Sequence, residues 1–545
     1  MSQHVAPSKP AAIQERPRRW QPGRLLLNAM AVVLGILALW PLIGLLGEAF
    51  QGFINGSTSL GVDGLQQVKG TLILLIGTAL LGGLLGTANG WILANCRFPG
   101  RRALQVAQLI PLATPAYLLS AILIDLGSRN AIRIYGMGWG ILIMALTTYP
   151  YVFLLSSESF TISGRSQLEA CRSLGVGPWN SFRRVALPMA MPAIGAGIAL
   201  MGMEVVNELG AVALLNIPTI SAGIVEIWQM TGEPSGAVGL ALIALVIVMA
   251  LVAYEKTLRS RSRTWSEGVA GGQAPAWQLH GWRAICAQLL ALSPPLFTLG
   301  VPMFWMLSNL DQLARLQATP DWSEDLIQLS LRSFSLAFAA AAITVLASLV
   351  FAVAKRWNPA KWMSSLSFIS GIGYAIPGAV LAIALFPFGA KPWLFGNIVL
   401  LLWGYSTRFL AVSKGGQDAA FERISPNLDE AAMGLGCRWQ GVFRRIHLPL
   451  LRGPILVGAL FVFVDTIKEL PLTFVLRPFD FDTLAVRLYQ YAADERMAES
   501  LLPSMMIIAL GLIASLALIP GLNQGNSSQQ QIKKQTVSQA ASQSP

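Results

Sequence analysis

Long apolar runs alternate with short polar ones along most of the chain. Runs at 25–46, 71–94, 106–124, 138–155, 189–215 and 237–254 are followed by others at 285–307, 329–354, 366–386, 394–412, 453–475 and 501–519. A membrane-spanning helix needs about 20 apolar residues. The pattern therefore predicts about twelve spanning helices, six on either side of a polar stretch at 256–278 rich in Ser, Gly, Arg and Ala. The first run follows a basic segment, as a secretion signal would, but it is long enough to span. No small-residue cleavage site follows it, so the expectation is an uncleaved first helix with its N-terminus inside. The Gln/Ser-rich segment 523–545 is expected to be disordered.

Composition and charge agree with a polytopic membrane protein. Of 545 residues, 54% are hydrophobic and only 12% charged, against about 25% charged in an average soluble domain. The net charge of +12 points less to nucleic acid than to Lys and Arg kept on the cytoplasmic side. With the N-terminus inside, the inner loops hold Arg97, Arg101 and Arg102, then Arg165, Arg172, Arg183 and Arg184, then Lys256 and Arg259, Lys355 and Arg356, and finally Arg438, Arg444 and Arg445. The expected outer loop 216–238 has Glu226 and Glu233 and no Lys or Arg. Arg129, Arg133, Arg487 and Arg496 run against the bias without outweighing it. Cys96, Cys171, Cys286 and Cys437 have no metal-ligand spacing, and His4, His280 and His447 are too scattered for a histidine-built metal site.

One polar segment occurs twice. Residues 168–188 read LEACRSLGVGPWNSFRRVALP, and 429–449 read DEAAMGLGCRWQGVFRRIHLP. Glu169-Ala170 aligns with Glu430-Ala431, Gly175 with Gly436, Phe182-Arg183-Arg184 with Phe443-Arg444-Arg445, and Leu187-Pro188 with Leu448-Pro449, always 261 positions apart. Such self-similarity marks a repeat architecture. Segments 166–174 and 426–435 have helix-forming composition. Each glycine then permits a left-handed turn that ends the helix. A second short helix carrying Phe182 or Phe443 follows, and Leu-Pro opens the next span. The expected product is a helix–turn–helix across the membrane face, tied to a spanning helix. Both copies fall on the cytoplasmic side of the predicted topology.

These stretches resemble the EAA loop of ABC-transporter permeases of the type-I importer kind, whose pattern is Glu-Ala-Ala, Gly and a closing Leu-Pro. Glu430, Ala431, Ala432, Gly436 and Pro449 match it throughout, whereas the first copy has Cys171 at the second Ala. The resemblance covers nearly the whole chain. It implies an all-α membrane protein of two parallel six-helix halves about a pseudo-two-fold axis. The halves would span 25–255, with the loop 165–188, and 285–520, with the loop 426–449. A tail 1–24, a linker 256–284 and a tail 521–545 would lie in the cytoplasm of a bacterial cell with an inner membrane. By the same resemblance, Glu169, Ala170, Gly175, Arg183, Arg184 and Pro188 in the first loop dock an ATPase, as do Glu430, Ala431, Ala432, Gly436, Arg444, Arg445 and Pro449 in the second. Two ATPase copies would bind ATP, a binding protein would deliver cargo outside, and this chain would bind no cofactor or nucleic acid. No Walker-type Gly-x-x-x-x-Gly-Lys-Ser/Thr occurs, so phosphates have no such cradle here.

The segments FVDTIKELPLTFVLRP at 463–478 and DTLAVRLYQYAADERM at 482–497 look like the fused iron(III)-type permeases. Relatives importing thiamine or phosphonates remain alternatives, as does a gradient-driven carrier of six-plus-six design. In the first half MEVVNEL at 203–209 occupies the position of the 464–470 segment. Glu204, Asn207 and Glu208 then correspond to Asp465, Lys468 and Glu469. Ionisable groups inside a span are expensive and commonly functional. Helical spacing would place Glu204 with Glu208, and Asp465 with Glu469, on one face. They suit either a translocation path for a cationic or metal-chelate cargo or an interhelical polar network, with Lys468 able to neutralise its neighbours. Arg408 is expected to be structural or to snorkel toward the cytoplasm, and Tyr149-Pro150-Tyr151 to kink its helix.

Overall fold

Apolar stretches that hydrogen-bond their own backbone can cross a bilayer as helices, and helices account for nearly all the regular structure. The computed structural model describes residues 22–54, 63–162, 165–231, 234–264, 277–317, 320–389 and 397–517. The expected tails 1–24 and 521–545 and the middle of the linker therefore lie largely or wholly outside the described residues, as does Glu233. Among the described residues, seven helices are long and apolar enough to span, and three bent helix pairs raise the number to ten. The helix Ile398–Arg423 and the shorter Leu501–Ala517 occupy the other two expected positions.

The bends explain why apolar runs alone misjudge these helices. Arg101–Ala113 meets Ala116–Arg129 at 87°, and Lys361–Ala375 meets Gly378–Phe388 at 107°. Pro115 and Pro377 sit in these breaks, where each lacks the N–H that would continue a helix. The Tyr149-Pro150 step bends its pair by 45°, as its sequence suggests. Two expected spans end early: 189–215 stops as a helix at Asn207, and 453–475 at Lys468. The expected outer loop 216–238 contains the helix Ile220–Thr231. The helix beginning at Val238 runs to Thr264, past the expected boundary at 255.

The repeat is a repeat of structure. Arg165–Ser173 corresponds to Pro426–Gly434, Pro178–Ser181 to Trp439–Val442, and Leu187–Asn207 to Leu448–Lys468, all at the 261-residue offset. The expected second short helix is continuous with the span in both copies. The joins Phe182–Ala186 and Phe443–His447 are π-helical turns. A wider turn absorbs Pro188 and Pro449, whose missing N–H would leave an α-helical bond unmade.

The first helix of each half packs on the other half. Pro22–Ile54 lies against Pro320–Trp357, Lys361–Ser370 and Gly378–Gly389. Reciprocally, Trp282–Pro295 lies against Gly64–Asn95 and Arg101–Ala107, while Leu501–Ala517 covers the 110–113 turn. The largest core clusters accordingly mix both halves, joining Val206, Leu209 and Val238 to Ile376, Leu401 and Val462. Burying such apolar surface between packed helices stabilises the pairing, and small residues permit close approach. Within the first half the same holds: at Gly82 an added Cβ would meet the Met201 sulfur at 2.7 Å.

Candidate functional site

The two early helix stops build the centre of the molecule. At Glu208 the backbone becomes extended (ψ 128°), and its Oε1 accepts from the Ala211 N–H at 2.9 Å. At Glu469 ψ is 124°; Oε1 accepts from the Leu472 N–H at 3.0 Å, and Oε2 from the Thr473 N–H at 3.0 Å and hydroxyl at 2.8 Å. Each carboxylate thus satisfies the free amides opening the next short helix, Gly210–Leu214 or Pro471–Leu476. The expected i,i+4 face is corrected here: the helix stops between the two acids of each pair, so Glu208 and Glu469 turn with the following segment.

Glu204, Asn207, Glu208, Asp465, Lys468 and Glu469 nevertheless line one cavity. Lys468 pairs with Asp465 at 2.9 Å. Asn207 reaches across to the second half, its Oδ1 accepting from the Gly378 N–H at 2.7 Å. Tyr117 reaches the other way, its hydroxyl donating to the Lys468 carbonyl at 3.4 Å. The two bent helix pairs thus deliver their break points to the cavity, and each break touches the opposite half's acidic stop.

Sequence reasoning did not place Tyr117, Tyr151, Tyr374 or Arg408 in this lining, nor the hydroxyls of Thr114, Thr147 and Thr148. Of the two expectations for Arg408, the structural one holds rather than snorkelling. The residue is 6% exposed, its Nη1 donates to the Ile376 carbonyl at 2.9 Å, and the carbonyl is free because the helix breaks there. The available signal was Pro377, since a proline inside an apolar run marks a break with unpaired backbone.

The repeated loops stand apart, with most of their named side chains at the surface. Glu169, Ala170, Arg183, Arg184, Glu430, Ala431, Arg444 and Arg445 are exposed, and Ala432 is half-buried. Gly175 (φ +72°) and Gly436 (φ +86°) adopt the left-handed conformation. The Val176 N–H bonds the Cys171 carbonyl at 2.9 Å, and the Cys437 N–H the Ala432 carbonyl at 3.0 Å. This is the Schellman closure of a helix C-terminus. Leu174, Leu435 and Trp179 project beyond it, 81%, 88% and 67% exposed.

A bundle of apolar helices built twice, with a polar cavity at its centre, defines a membrane transport component. The family of binding-protein-dependent transport system inner membrane components matches residues 82–254 and again 351–522. The chain belongs to that family and carries its domain twice; it is a multi-pass inner-membrane permease rather than an enzyme. Over 450 residues it is 25% identical to an Fe(3+)-transport system permease protein of Haemophilus influenzae, covering 81% of this chain and 87% of that one. A sulfate transport system permease protein of Escherichia coli is 32% identical over 27% of this chain and 57% of its own length. The molybdenum transport system permease protein of Escherichia coli is 28% identical over 33% of this chain and 86% of its own. This family does not favour the gradient-driven carrier.

Proposed function

We propose that this chain forms the whole translocation path of an ATP-driven importer and that its cargo is ferric iron. The observation that carries the cargo assignment is the charge of the central cavity. Glu204, Glu208, Asp465 and Glu469 face Arg408 and Lys468, four carboxylates against two basic groups. An excess of negative charge in a low-dielectric space favours a cation and opposes an oxyanion such as sulfate or molybdate. Carboxylate and phenol oxygens, the latter from Tyr117, Tyr151 and Tyr374, are hard donors suited to a hard cation.

In this account two ATPase chains dock on loops 165–188 and 426–449, a binding protein delivers cargo at the opposite face, and both termini lie in the cytoplasm. ATPase closure draws the loops together, and the rigid helices Leu187–Asn207 and Leu448–Lys468 carry that displacement to the cavity. Thiamine and phosphonate are the alternative cargoes, and an anionic phosphonate is opposed by the same excess of carboxylates. The experiment is purification of the complex from native membranes and assay of its ATPase. The expected result is a co-purifying ATPase stimulated by ferric-loaded binding protein. Stimulation by a sulfate- or molybdate-loaded protein instead would overturn the cargo assignment.

A further inference from the structure

The stretch joining the two halves comes back to the first half as a strand. Trp277–Gln278 pairs in parallel with Cys96–Arg97, Cys96 opposite Trp277, and the Leu279 N–H donates to the Arg97 carbonyl at 3.0 Å. This brings the Trp277 ring onto Trp91, with centroids 5.6 Å apart. Trp91 in turn packs on Phe182 at 5.1 Å and Phe160 at 5.4 Å, and Phe182 packs on Trp179 at 5.6 Å. Phe182 opens the π turn that joins the first repeated loop to Leu187–Asn207. That helix ends at the cavity with Glu204 and Asn207. A side chain leading into the second half's first helix, Trp282–Pro295, therefore forms part of the seat of the first half's loop.

The second loop has a seat of different physics on the same frame. At the repeat offset Trp91 becomes Ala352, Leu168 becomes Asp429, Ala186 becomes His447 and Asn95 becomes Arg356. Asp429 Oδ1 meets His447 Nε2 at 2.8 Å, and Asp429 Oδ2 accepts from Arg356 Nε at 2.9 Å. His447 is fully buried among Trp357, Phe421 and Phe443. Arg356 and Asp429 both come from the half that owns this loop. The second loop is thus held by a buried polar triad from its own half, the first by aromatic stacking that includes Trp277 from beyond the linker.

We propose that Trp277 is a positioning residue for the first loop. Its indole sets the tilt of Phe182 through Trp91, and so ties the angle of that loop to the first helix of the opposite half. The inference rests on the reading that these loops dock an ATPase. It makes the two docking sites mechanically unequal: a buried polar triad seats one, and an aromatic stack reaching beyond the linker seats the other. Aromatic stacking suits this task because ring pairs prefer defined offset and tilted geometries over a continuum, so displacement of one ring reorients the next.

The test uses the full chain with its ATPase and binding protein in proteoliposomes, reading ATP hydrolysed per cargo ion accumulated. Trp277→Ala is expected to raise that ratio about three- to tenfold, with the ATPase still co-purifying and the half-saturating binding-protein concentration unchanged. Trp277→Phe, which keeps a ring, is expected to restore most of the coupling. Cleavage at a protease site inserted between 265 and 276 is expected to leave the ratio unchanged, because the strand and the stack lie beyond the cut. A normal ratio in Trp277→Ala overturns the proposal. So does a Trp277→Phe chain as uncoupled as the alanine variant, or a cut chain that loses coupling on its own. Failure of the docking reading looks different: wild-type chain would then recover no ATPase at all.

Discussion

Asp465 holds the Lys468 ammonium at 2.9 Å on the cavity wall, whereas the repeat partner of Lys468 is the neutral Asn207, whose oxygen is engaged by the Gly378 N–H. The two halves therefore present unequal charge to one shared space, and Lys468 acts as a tethered counter-ion. Replacing it by methionine leaves Asp465 unpaired and removes one of the two cavity cations. Lys468→Met is expected to relax selectivity, so that divalent cations inhibit ferric uptake at concentrations about tenfold lower than in wild type. Lys468→Arg is expected to retain the wild-type profile. Competition curves in proteoliposomes check this, and superimposable curves for methionine and wild type would refute it.

Glu469 accepts three hydrogen bonds at the start of Pro471–Leu476, one of them from the Thr473 hydroxyl, where Glu208 is engaged by backbone N–H alone at Gly210–Leu214. Loss of a capping side chain costs about 0.5–2 kcal/mol, and Glu469 is the more completely engaged. Glu469→Ala is expected to lower the thermal unfolding midpoint of the detergent-purified chain more than Glu208→Ala. Equal midpoints would mean that the caps contribute nothing distinguishable.

At Gly175 and Gly436 the positive φ carries a cost of about 1–2 kcal/mol for a residue with a Cβ. Nothing lies within 4 Å of a Cβ built at either position, so the penalty is one of backbone conformation alone. Gly175→Leu and Gly436→Leu are expected to leave the protein inserted and the spans intact, yet to uncouple ATP hydrolysis from transport. Each should reduce cargo moved per ATP severalfold, and normal ratios in both would remove the loops from the coupling route.

Three of the four cysteines report orientation once the exposed Cys286 is replaced by serine. Cys171 and Cys437 are half-buried in the loops, whereas Cys96 is 4% exposed and burial pushes its thiol up to about 11. A raised value keeps the thiol protonated throughout the neutral range and reactive only as pH approaches that value, since the thiolate is the nucleophile. Membrane-impermeant maleimide at neutral pH is expected to label Cys171 and Cys437 from the cytoplasmic side and to spare Cys96. Labelling of the two loop cysteines only from the outer side would invert the topology.

Much of this was legible in the sequence because a register-true repeat constrains both copies at once. The loops, their glycine stops and the Tyr149-Pro150 bend follow from local chemistry. The helix stops at Asn207 and Lys468 did not, because they fall inside apolar runs and owe their form to glutamates that turn forward to cap the next helix. For Arg408 the structural alternative holds, but its partner could not be named, because the Ile376 carbonyl is freed by a break 32 residues away. The exchange of first helices between halves and the Trp91–Trp277 stack depend on contacts distant in sequence, which periodicity cannot encode.

The central claim is that the cavity carboxylates conduct ferric iron under ATP drive. Its most direct measurement is ATP-dependent accumulation of radioactive iron in proteoliposomes holding this chain, its ATPase and ferric-loaded binding protein. The wild type is compared with a chain carrying both Glu208→Gln and Glu469→Gln, which keeps one acceptor oxygen at each cap but removes both charges. The account predicts robust uptake by the wild type and a loss of at least about tenfold in the double variant, with the ATPase still bound. Undiminished iron uptake by the double variant would contradict it.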